Sequence, residues 1–252
     1  MEASLDFSGR VVLVTGGAKG IGRVIVEQFA TAGATVVACG RNEPDALEHA
    51  SFITCDVRDP EQVDAMVARI ADDHGRLDVA VNNAGGAPNA DAATASPRFS
   101  ESIVRLNLLA PLHVAQAANR VMQTQDDGGS IVNIASVSGV RPSPGAAAYG
   151  AAKAGLLNLT LTLAVEWAPK VRVNAITAGL IRTELAHLWY GDETGIAAVG
   201  ATVPLGRMGE PSDIASACLY LASPLAAYVS GANLLVHGGG ERPAYLSAAD
   251  PT

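Results

Sequence analysis

Short apolar runs alternate with segments of helical periodicity along this chain. Val11–Val14 is continuously apolar, as the strands of a parallel sheet are when helices cover both faces, and Ile131–Ile134 is apolar apart from Asn133. Between such runs, Val63, Met66 and Val67 recur at the three- and four-residue intervals of one helix face. The alternation therefore predicts an α/β fold, with a doubly wound parallel sheet and helices on both faces.

The predicted elements follow one another without a linker that would divide the chain. Strands are predicted at 11–14, 36–39, 51–54, 77–81, 130–135, 171–176 and 233–236. Helices are predicted at about 23–30, 60–70, 99–123, 147–167 and 211–222. We therefore expect one domain over residues 1–252, with a sheet of about seven strands.

Two connections stand apart from this regular alternation. The segment between the second and third strands, 42–50, is short, and we expect it to hold a helical stub of one or two turns. The segment 183–203 carries three glycines around apolar Leu188 and Trp189, which is typical of a flexible apolar flap. This second segment is the candidate substrate lid.

Composition narrows the class of protein. The chain of 252 residues is 49% hydrophobic, enough for one large core, and its net charge of −8 disfavours a nucleic-acid surface. Its first residues lack the basic and apolar regions of a signal peptide, and no run has the apolar length of a membrane span. The three scattered cysteines form neither a disulfide framework nor a metal set, so we expect a cytoplasmic protein without a metal site.

A glycine-rich turn follows the first strand directly. The sequence from Thr15 to Gly22 lies between a strand and a helix, which is the context a dinucleotide-binding turn requires. Glycines there allow the backbone to approach a pyrophosphate at the helix N-terminus. The alternative is a plain strand-to-helix turn.

Candidate chemistry lies between Ser136 and Lys153. Ser136 follows the predicted fifth strand, and Tyr149 and Lys153 lie four residues apart, on one face of the next helix. An ammonium close to a phenol favours the phenolate, and about 4 kcal/mol at ~4 Å would lower a phenol pKa from about 10 toward 7. Such a tyrosine could exchange a proton with an alcohol or a carbonyl while Ser136 holds the same oxygen. Tyr-x-x-x-Lys alone is also ordinary spacing on an amphipathic helix surface.

Taken together, the motifs resemble the classical short-chain dehydrogenase/reductase family, and in particular its 3-oxoacyl-[acyl-carrier-protein] reductase-like members. The resemblance runs from Phe7 to Gly239 and implies a single-domain Rossmann fold. The motifs that carry it are Thr15–Gly22, Asp56 with Val57, Asn82–Gly85, Asn107, Ser136, Tyr149 with Lys153, and Pro204–Arg207 followed by Gly209 and Pro211.

The resemblance implies a catalytic role for four residues. Tyr149 would be the general acid/base, and Ser136 would polarise the substrate oxygen. Lys153 would lower the tyrosine pKa and bond the nicotinamide ribose. Asn107 would steady a relay water through a local break in its helix.

The resemblance also implies a cofactor-binding set. Its members line the pyrophosphate, the adenosine or the nicotinamide end of the cofactor. They are Gly16, Lys19, Gly20, Ile21, Gly22, Arg41, Asp56, Val57, Asn82, Ala84, Gly85, Tyr149, Lys153, Gly179, Ile181 and Thr183.

Several of these residues have a structural alternative. Asn82 and Asn107 could serve the fold alone, and Thr15 is expected to stabilise the glycine-rich turn. His237 stands where relatives usually have aspartate and is interpreted as structural or interfacial. Ala178 stands where the family usually has proline, which would loosen the turn that leads into the lid.

The resemblance favours NADP(H) as cofactor, with NAD(H) as the alternative. Gly40 ends the second strand, where NAD-binding relatives carry an acidic residue that would repel a 2′-phosphate. Arg41 and Lys19 are cations at positions that mark a preference for the phosphorylated cofactor in the family. Both could instead be solvated surface cations.

The expected activity is hydride transfer between this cofactor and a carbonyl or secondary alcohol. An apolar ketone or a 3-oxoacyl thioester is the expected substrate, because the lid is apolar. Alternatives are an NAD-dependent alcohol or hydroxysteroid-type dehydrogenase, and a nucleotide-sensing scaffold without catalysis. The helix at 147–167 is apolar nearly all round, which predicts a homotetramer or a homodimer.

Overall fold

The computed structural model describes residues 5–248, and its strands form one parallel sheet. The strands are β1 (Val11–Thr15), β2 (Thr35–Gly40), β3 (Ala50–Thr54), β4 (Val79–Asn82), β5 (Gly129–Ser136), β6 (Val171–Ala178) and β7 (Asn233–Val236). Their order is β3-β2-β1-β4-β5-β6-β7. The predicted α/β fold with seven parallel strands is confirmed.

The helices of the described residues cover both faces of this sheet. They are α1 (Gly20–Thr31), α2 (Pro60–His74), α3 (Pro97–Val104), α4 (Ala110–Met122), α5 (Ala147–Glu166), α6 (His187–Tyr190), α7 (Glu193–Thr202), α8 (Pro211–Ala222) and α9 (Tyr245–Ala248). One core cluster contains residues of α2, α4 and α5, and the other contains residues of α1 and α8. Because alternate strand residues point to opposite faces, strands β1 to β6 contribute to both clusters, whereas β7 contributes to the second alone.

The strand order reverses direction between β1 and β4. From β1 the chain builds outward through β2 and β3, then returns to pair β4 with the other side of β1. Such a reversal opens a crevice at the carboxyl ends of the strands, where ligands bind in open α/β sheets. The glycine-rich turn after β1 and the Asn82–Gly85 segment after β4 therefore end at this crevice.

The crossover between β2 and β3 differs from the expected helical stub. Residues 41–49 contain bends and one turn but no helix, and His49 has a φ of 63°. A strand of six residues spans about 20 Å, whereas nine helical residues would return only about 13 Å. The connection has to be extended to reach the start of β3.

The long predicted helix at 99–123 is observed as three continuous parts. α3 and α4 are joined by a π-helical turn, Arg105–Leu109, which contains the buried Asn107. The expected local break at Asn107 is therefore present, as an additional residue in one helical turn.

The segment 183–203 contains two helices, α6 and α7, where we expected a flexible flap. Ala186, Ile196 and Met208 form a small apolar cluster beneath it, while Leu188 and Trp189 are exposed. Before the lid, the Arg182 amide donates to the Gly209 carbonyl at 2.7 Å, which anchors the segment despite Ala178 in place of proline.

Three general properties concern the described residues as a whole. Between residues 5 and 248, no helix has both the length and the apolar character needed to cross a membrane. Over the same range, no group of three or more His, Cys, Asp or Glu side chains could hold a metal ion. Cys39, Cys55 and Cys218 are buried free thiols.

Candidate active site

Ser136 is the last residue of β5 and begins the loop that leads toward α5. Its Oγ accepts a hydrogen bond from the Ser138 amide at 3.2 Å and caps a short 3₁₀ turn. Gly139 allows this turn to pack against α5, since a Cβ there would lie 2.8 Å from the Ala154 nitrogen. The hydroxyl of Ser136 is thereby held at the carboxyl edge of the sheet.

Tyr149 lies in the first turn of α5 and faces Ser136. The Ser136 side chain is within hydrogen-bonding reach of the phenol and lowers its pKa, but burial is the larger effect and raises the pKa of Tyr149 above its ordinary value. The expected depression of the Tyr149 pKa toward neutrality is therefore not observed.

Lys153 is one helical turn further along α5 and is only 3% exposed. Its Nζ donates a 2.7 Å hydrogen bond to the Ile134 carbonyl and lies 5.7 Å from the centroid of the Tyr149 ring. Burial lowers the pKa of Lys153 to about 8. The ammonium is directed at the main chain of β5, and its effect on the pKa of Tyr149 stays a prediction.

Asn107 uses its amide to hold the loop that follows β4. Its Oδ1 accepts from the Gly86 nitrogen at 2.9 Å, and its Nδ2 donates to the Gly86 and Ile103 carbonyls at 3.0 and 2.9 Å. The Ile103 carbonyl lies just before the π-helical turn, where the backbone hydrogen bonds change from the α-helical to the π-helical pattern.

Gly85 brings Asn107 and Lys153 together. A Cβ on Gly85 would lie 2.8 Å from the Asn107 Oδ1 and 3.3 Å from the Lys153 Nζ. Only a residue without a side chain fits this contact without displacing one of them. The predicted catalytic residues Ser136, Tyr149, Lys153 and Asn107 thus lie in one region at the sheet edge.

The glycine-rich turn has the close backbone approach that a pyrophosphate cradle requires. Gly22 packs so tightly against the turn that a Cβ would lie 2.2 Å from the Gly16 carbonyl oxygen. Gly16 and Gly20 have positive φ values of 65° and 55°, which glycine adopts without strain. Ile21 and Gly22 belong to the first turn of α1, so their amides lie at its N-terminal end.

Asn83 fastens this turn to the end of β4, a role that the sequence analysis did not assign. Its Nδ2 donates to the Thr15 and Gly16 carbonyls at 2.9 and 3.2 Å. The Thr15 hydroxyl accepts from the amides of Asn83 and Ala84, so Thr15 stabilises the turn as expected. Its position within the Asn82–Gly85 motif was the sequence feature that could have indicated the role of Asn83.

The Asn82 side chain points into the protein interior. Its Nδ2 donates to the Asn133 Oδ1 at 2.8 Å and to the Pro111 carbonyl at 3.1 Å, and Asn133 continues to Thr160 on α5. The side chain is 2% exposed and lies in the interior between β4, β5 and α4. The side chain therefore serves the fold, which is the alternative that the sequence left open, and a contact of Asn82 with the ribose stays a prediction.

The adenosine end of the predicted site contains an ion pair that the sequence analysis did not identify. Arg58 donates from Nε and from a terminal nitrogen to both oxygens of Asp56, and this bonding holds the pKa of that carboxyl below its usual value. The exposed Arg41 also lowers it, which places Arg41 near Asp56. The Val57 side chain is buried in the core, so its backbone is the part available to a nucleotide.

The residues predicted to meet the nicotinamide end follow β6, which packs closely against β7. A Cβ on Gly179 would lie 2.7 Å from the His237 Cα, so glycine is needed where the ends of β6 and β7 meet. Ile181 then pairs with Gly209 in an isolated β-bridge, and Thr183 reaches the neighbourhood of Gly20. The close contact with Gly179 accounts for His237 as a packing residue, and an interfacial role stays a prediction.

A cleft of about 820 Å³ separates the N-terminal half of α1 from the lid. Its walls include Lys19, Gly20, Arg182, Thr183 and Glu184. Glu184 reaches across it, and its Oε1 accepts a 3.0 Å hydrogen bond from the Gly20 amide. A carboxylate at the first residue of α1 shows that this position receives an anionic oxygen, so the cradle fits the diphosphate of a dinucleotide.

Comparison with known proteins supports the same interpretation. Residues 16–241 match the family model described as enoyl-(acyl carrier protein) reductase. The 3-oxoacyl-[acyl-carrier-protein] reductase of Vibrio cholerae is 35% identical over 93% of this chain and 98% of its own length. A 3alpha-hydroxysteroid dehydrogenase of Mediterraneibacter gnavus is 36% identical over 91% of this chain and 96% of its own. An uncharacterized short-chain type dehydrogenase/reductase of Sinorhizobium fredii is 37% identical over 92% of this chain, which spans only 43% of that longer protein.

Solved structures agree with the sequence comparison. The aldohexose dehydrogenase of Thermoplasma acidophilum superimposes with a TM-score of 0.88 at 33% identity, over 98% of this chain and 97% of its own. The chain belongs to the short-chain dehydrogenase/reductase family. It has the Rossmann-like fold of that family and is an NAD(P)-dependent oxidoreductase.

Proposed function

We propose that this protein reduces a carbonyl group to a secondary alcohol, with Tyr149 as the proton donor. The observation that carries this proposal is the position of the Ser136 side chain within hydrogen-bonding reach of Tyr149, with Lys153 one turn along the same helix. A serine hydroxyl and a phenol on opposite sides of one oxygen atom can hold it and protonate it.

The raised pKa of Tyr149 suits reduction. Burial keeps the phenol protonated at neutral pH, and a protonated phenol is the form that donates to the developing alkoxide. Ser136 orients the carbonyl oxygen toward that proton. Lys153 positions α5 against β5 through the Ile134 carbonyl, and its charge stabilises the phenolate that remains after the transfer.

The cofactor supplies the hydride when it is bound. Gly16, Gly20, Ile21 and Gly22 hold its diphosphate, while Ala84 and Gly85 border the ribose. At the other end, Gly179, Ile181 and Thr183 hold the carboxamide. These roles rest on the resemblance and on the fit of the glycine-rich cradle.

NADP(H) is the favoured cofactor. Gly40 carries no charge, and Arg41 is an exposed cation beside the adenosine end, close enough to Asp56 to influence its pKa. A 2′-phosphate there would form charge-assisted hydrogen bonds with Arg41 and Lys19. NAD(H) is the alternative, because Asp56 already partly neutralises Arg41.

The substrate is an apolar ketone or a 3-oxoacyl thioester. The exposed Leu185, Leu188 and Trp189 of the lid support this substrate class, since apolar lid residues can cover an apolar substrate. The reductase of Vibrio cholerae is a relative whose name refers to 3-oxoacyl groups.

The protein is a homotetramer or a homodimer, forms one domain with its lid at 183–203, and is cytoplasmic. Leu161 and Val165 on α5 are 54% and 80% exposed, and Leu109 is exposed on the neighbouring helix. An apolar helix face of this kind is expected to be covered by a second copy. Light scattering at micromolar concentration tests this assembly, and a monomeric mass contradicts it.

The experiment that tests the activity is a panel of ketones, 3-oxoacyl thioesters and secondary alcohols, each offered with both cofactors. We expect nucleotide oxidation with an apolar carbonyl and NADPH. Tight nucleotide binding without turnover on any member would favour the non-catalytic scaffold, and turnover confined to alcohols with NAD would favour the dehydrogenase alternative.

A further inference from the structure

Glu184 of the lid occupies a position that the cofactor needs. Gly20 is the first residue of α1, and its amide donates to the Glu184 Oε1 at 3.0 Å. In a Rossmann fold the cofactor diphosphate is held at the N-terminus of this helix. A carboxylate and a diphosphate oxygen carry the same sign of charge and accept the same kind of hydrogen bond, so both cannot use the Gly20 amide at once.

We propose that Glu184 is a latch that holds the lid on the empty diphosphate cradle and is displaced when the cofactor binds. The contact joins residues 164 positions apart, so it fastens the lid to the opposite wall of the cleft. Thr183, its neighbour, also approaches Gly20, with Cγ2 3.8 Å from the position of a Cβ there. Displacement of the carboxylate therefore releases the lid segment that carries Thr183.

The charges along the cleft support competition at this one amide. The other two lid carboxylates have partners of their own: Asp192 accepts from the Thr194 and Gly195 amides at 3.0 and 3.1 Å, and Glu193 is engaged by Arg182 at 2.9 and 3.0 Å. Glu27 on α1 is engaged by Arg23 at 3.0 Å. Glu184, in contrast, has its hydrogen bond from the helix N-terminus. Removal of the Glu184 carboxylate therefore frees the Gly20 amide and takes a negative charge away from the diphosphate cradle.

The latch has a consequence for affinity that does not depend on which nicotinamide cofactor is used. NADH and NADPH share the diphosphate, so both compete with Glu184 in the same way. Removal of the carboxylate should lower the Kd of both nucleotides by about two- to fivefold, the range of a surface charge at a helix N-terminus.

The test combines nucleotide binding with the state of the lid in nucleotide-free protein. Titration calorimetry gives the Kd of NADPH and NADH for wild type, Glu184→Gln and Glu184→Ala, with Glu27→Gln as the matched control on the same cleft. Limited chymotrypsin digestion reports lid release, because exposed Leu188 and Trp189 lie in it. We expect tighter binding of both nucleotides and faster lid cleavage in Glu184→Ala, and neither change in Glu27→Gln.

Two results would overturn the latch. An unchanged or weaker affinity in Glu184→Ala would show that the carboxylate does not compete with the diphosphate. Tighter binding with an unchanged rate of lid cleavage would show that Glu184 repels the diphosphate without holding the lid. A wild type that prefers NADH would instead count against the proposed cofactor alone, since the latch predicts the same shift for both nucleotides.

Discussion

Lys153 and Ile134 are joined by a 2.7 Å hydrogen bond between the lysine Nζ and the main-chain oxygen. The bond connects the second turn of α5 to the strand that ends in Ser136, so it constrains the distance between Ser136 and Tyr149. It also places an ammonium in the protein interior, where burial lowers its pKa from 10.5 to about 8.

This buried charge predicts a conflict between stability and function. The charged form is disfavoured in the fold, so the penalty is fully present below pH 8 and disappears as pH rises from about 8 to the unfolded value of 10.5. The free energy of unfolding of Lys153→Met should therefore exceed that of wild type at pH 7 by on the order of 2 kcal/mol. Near pH 10 the two proteins should differ little. Urea unfolding at both pH values measures it, with exposed Lys19→Met as control. A variant less stable than wild type at pH 7 would contradict the burial penalty.

The pKa of Tyr149 predicts the pH dependence of the two reaction directions. Alcohol oxidation needs the phenolate, and the phenol pKa is raised, so kcat/KM for oxidation should keep rising with pH above neutrality. Carbonyl reduction needs the phenol and should stay level until the alkaline range. Initial rates from pH 6 to 10 in both directions provide the measurement. If kcat/KM for oxidation is already level at pH 7, the pKa of Tyr149 is lowered, as the Tyr149–Lys153 spacing alone suggested, and the raised pKa is contradicted.

Asn82 provides a test of a buried structural role. Asn82→Ala leaves the Asn133 Oδ1 and the Pro111 carbonyl without their donor, so the free energy of unfolding should fall by about 1–3 kcal/mol. The Kd of the cofactor should change by less than about twofold, because the Asn82 side chain faces the interior. Urea unfolding and nucleotide titration are compared with Asn119→Ala, a partly exposed asparagine on α4. Weaker nucleotide binding with an unchanged free energy of unfolding would contradict the structural role and support a contact between Asn82 and the ribose.

Arg41 determines the cofactor preference in this account. Wild type should show a higher kcat/KM with NADPH than with NADH, and Arg41→Ala should reduce that ratio by about tenfold through loss of charge-assisted hydrogen bonds. Arg23→Ala is the matched control, since Arg23 lines the neighbouring cleft but pairs with Glu27. A wild type that prefers NADH, or an unchanged ratio in Arg41→Ala, would refute this role.

Sequence patterns were sufficient for the fold because its central strands are buried on both faces. Continuous apolar runs such as Val11–Val14 have no other plausible environment in a chain that alternates with helices. The crossover at 41–49 was mispredicted because its conformation depends on the distance it has to span, which only the paired strands define.

The site was predictable as a set of residue types and less so as a set of orientations. Asn82 and Asn83 are adjacent, and neighbouring strand residues point to opposite sides, so the motif alone could not assign which one fastens the glycine-rich turn. The Tyr149–Lys153 spacing placed both on one helix face but contained no information on the Ile134 carbonyl. The contact of Glu184 with Gly20 joins distant segments and has no local signature.

The central claim is that Tyr149 transfers the proton, and Tyr149→Phe tests it most directly, because the substitution keeps the ring and removes only the hydroxyl. With the best carbonyl substrate, turnover should fall by orders of magnitude while the nucleotide Kd is retained, and Tyr190→Phe in the lid should stay close to wild type. If Tyr149→Phe keeps more than roughly a tenth of wild-type turnover, the proton comes from elsewhere and the account is wrong.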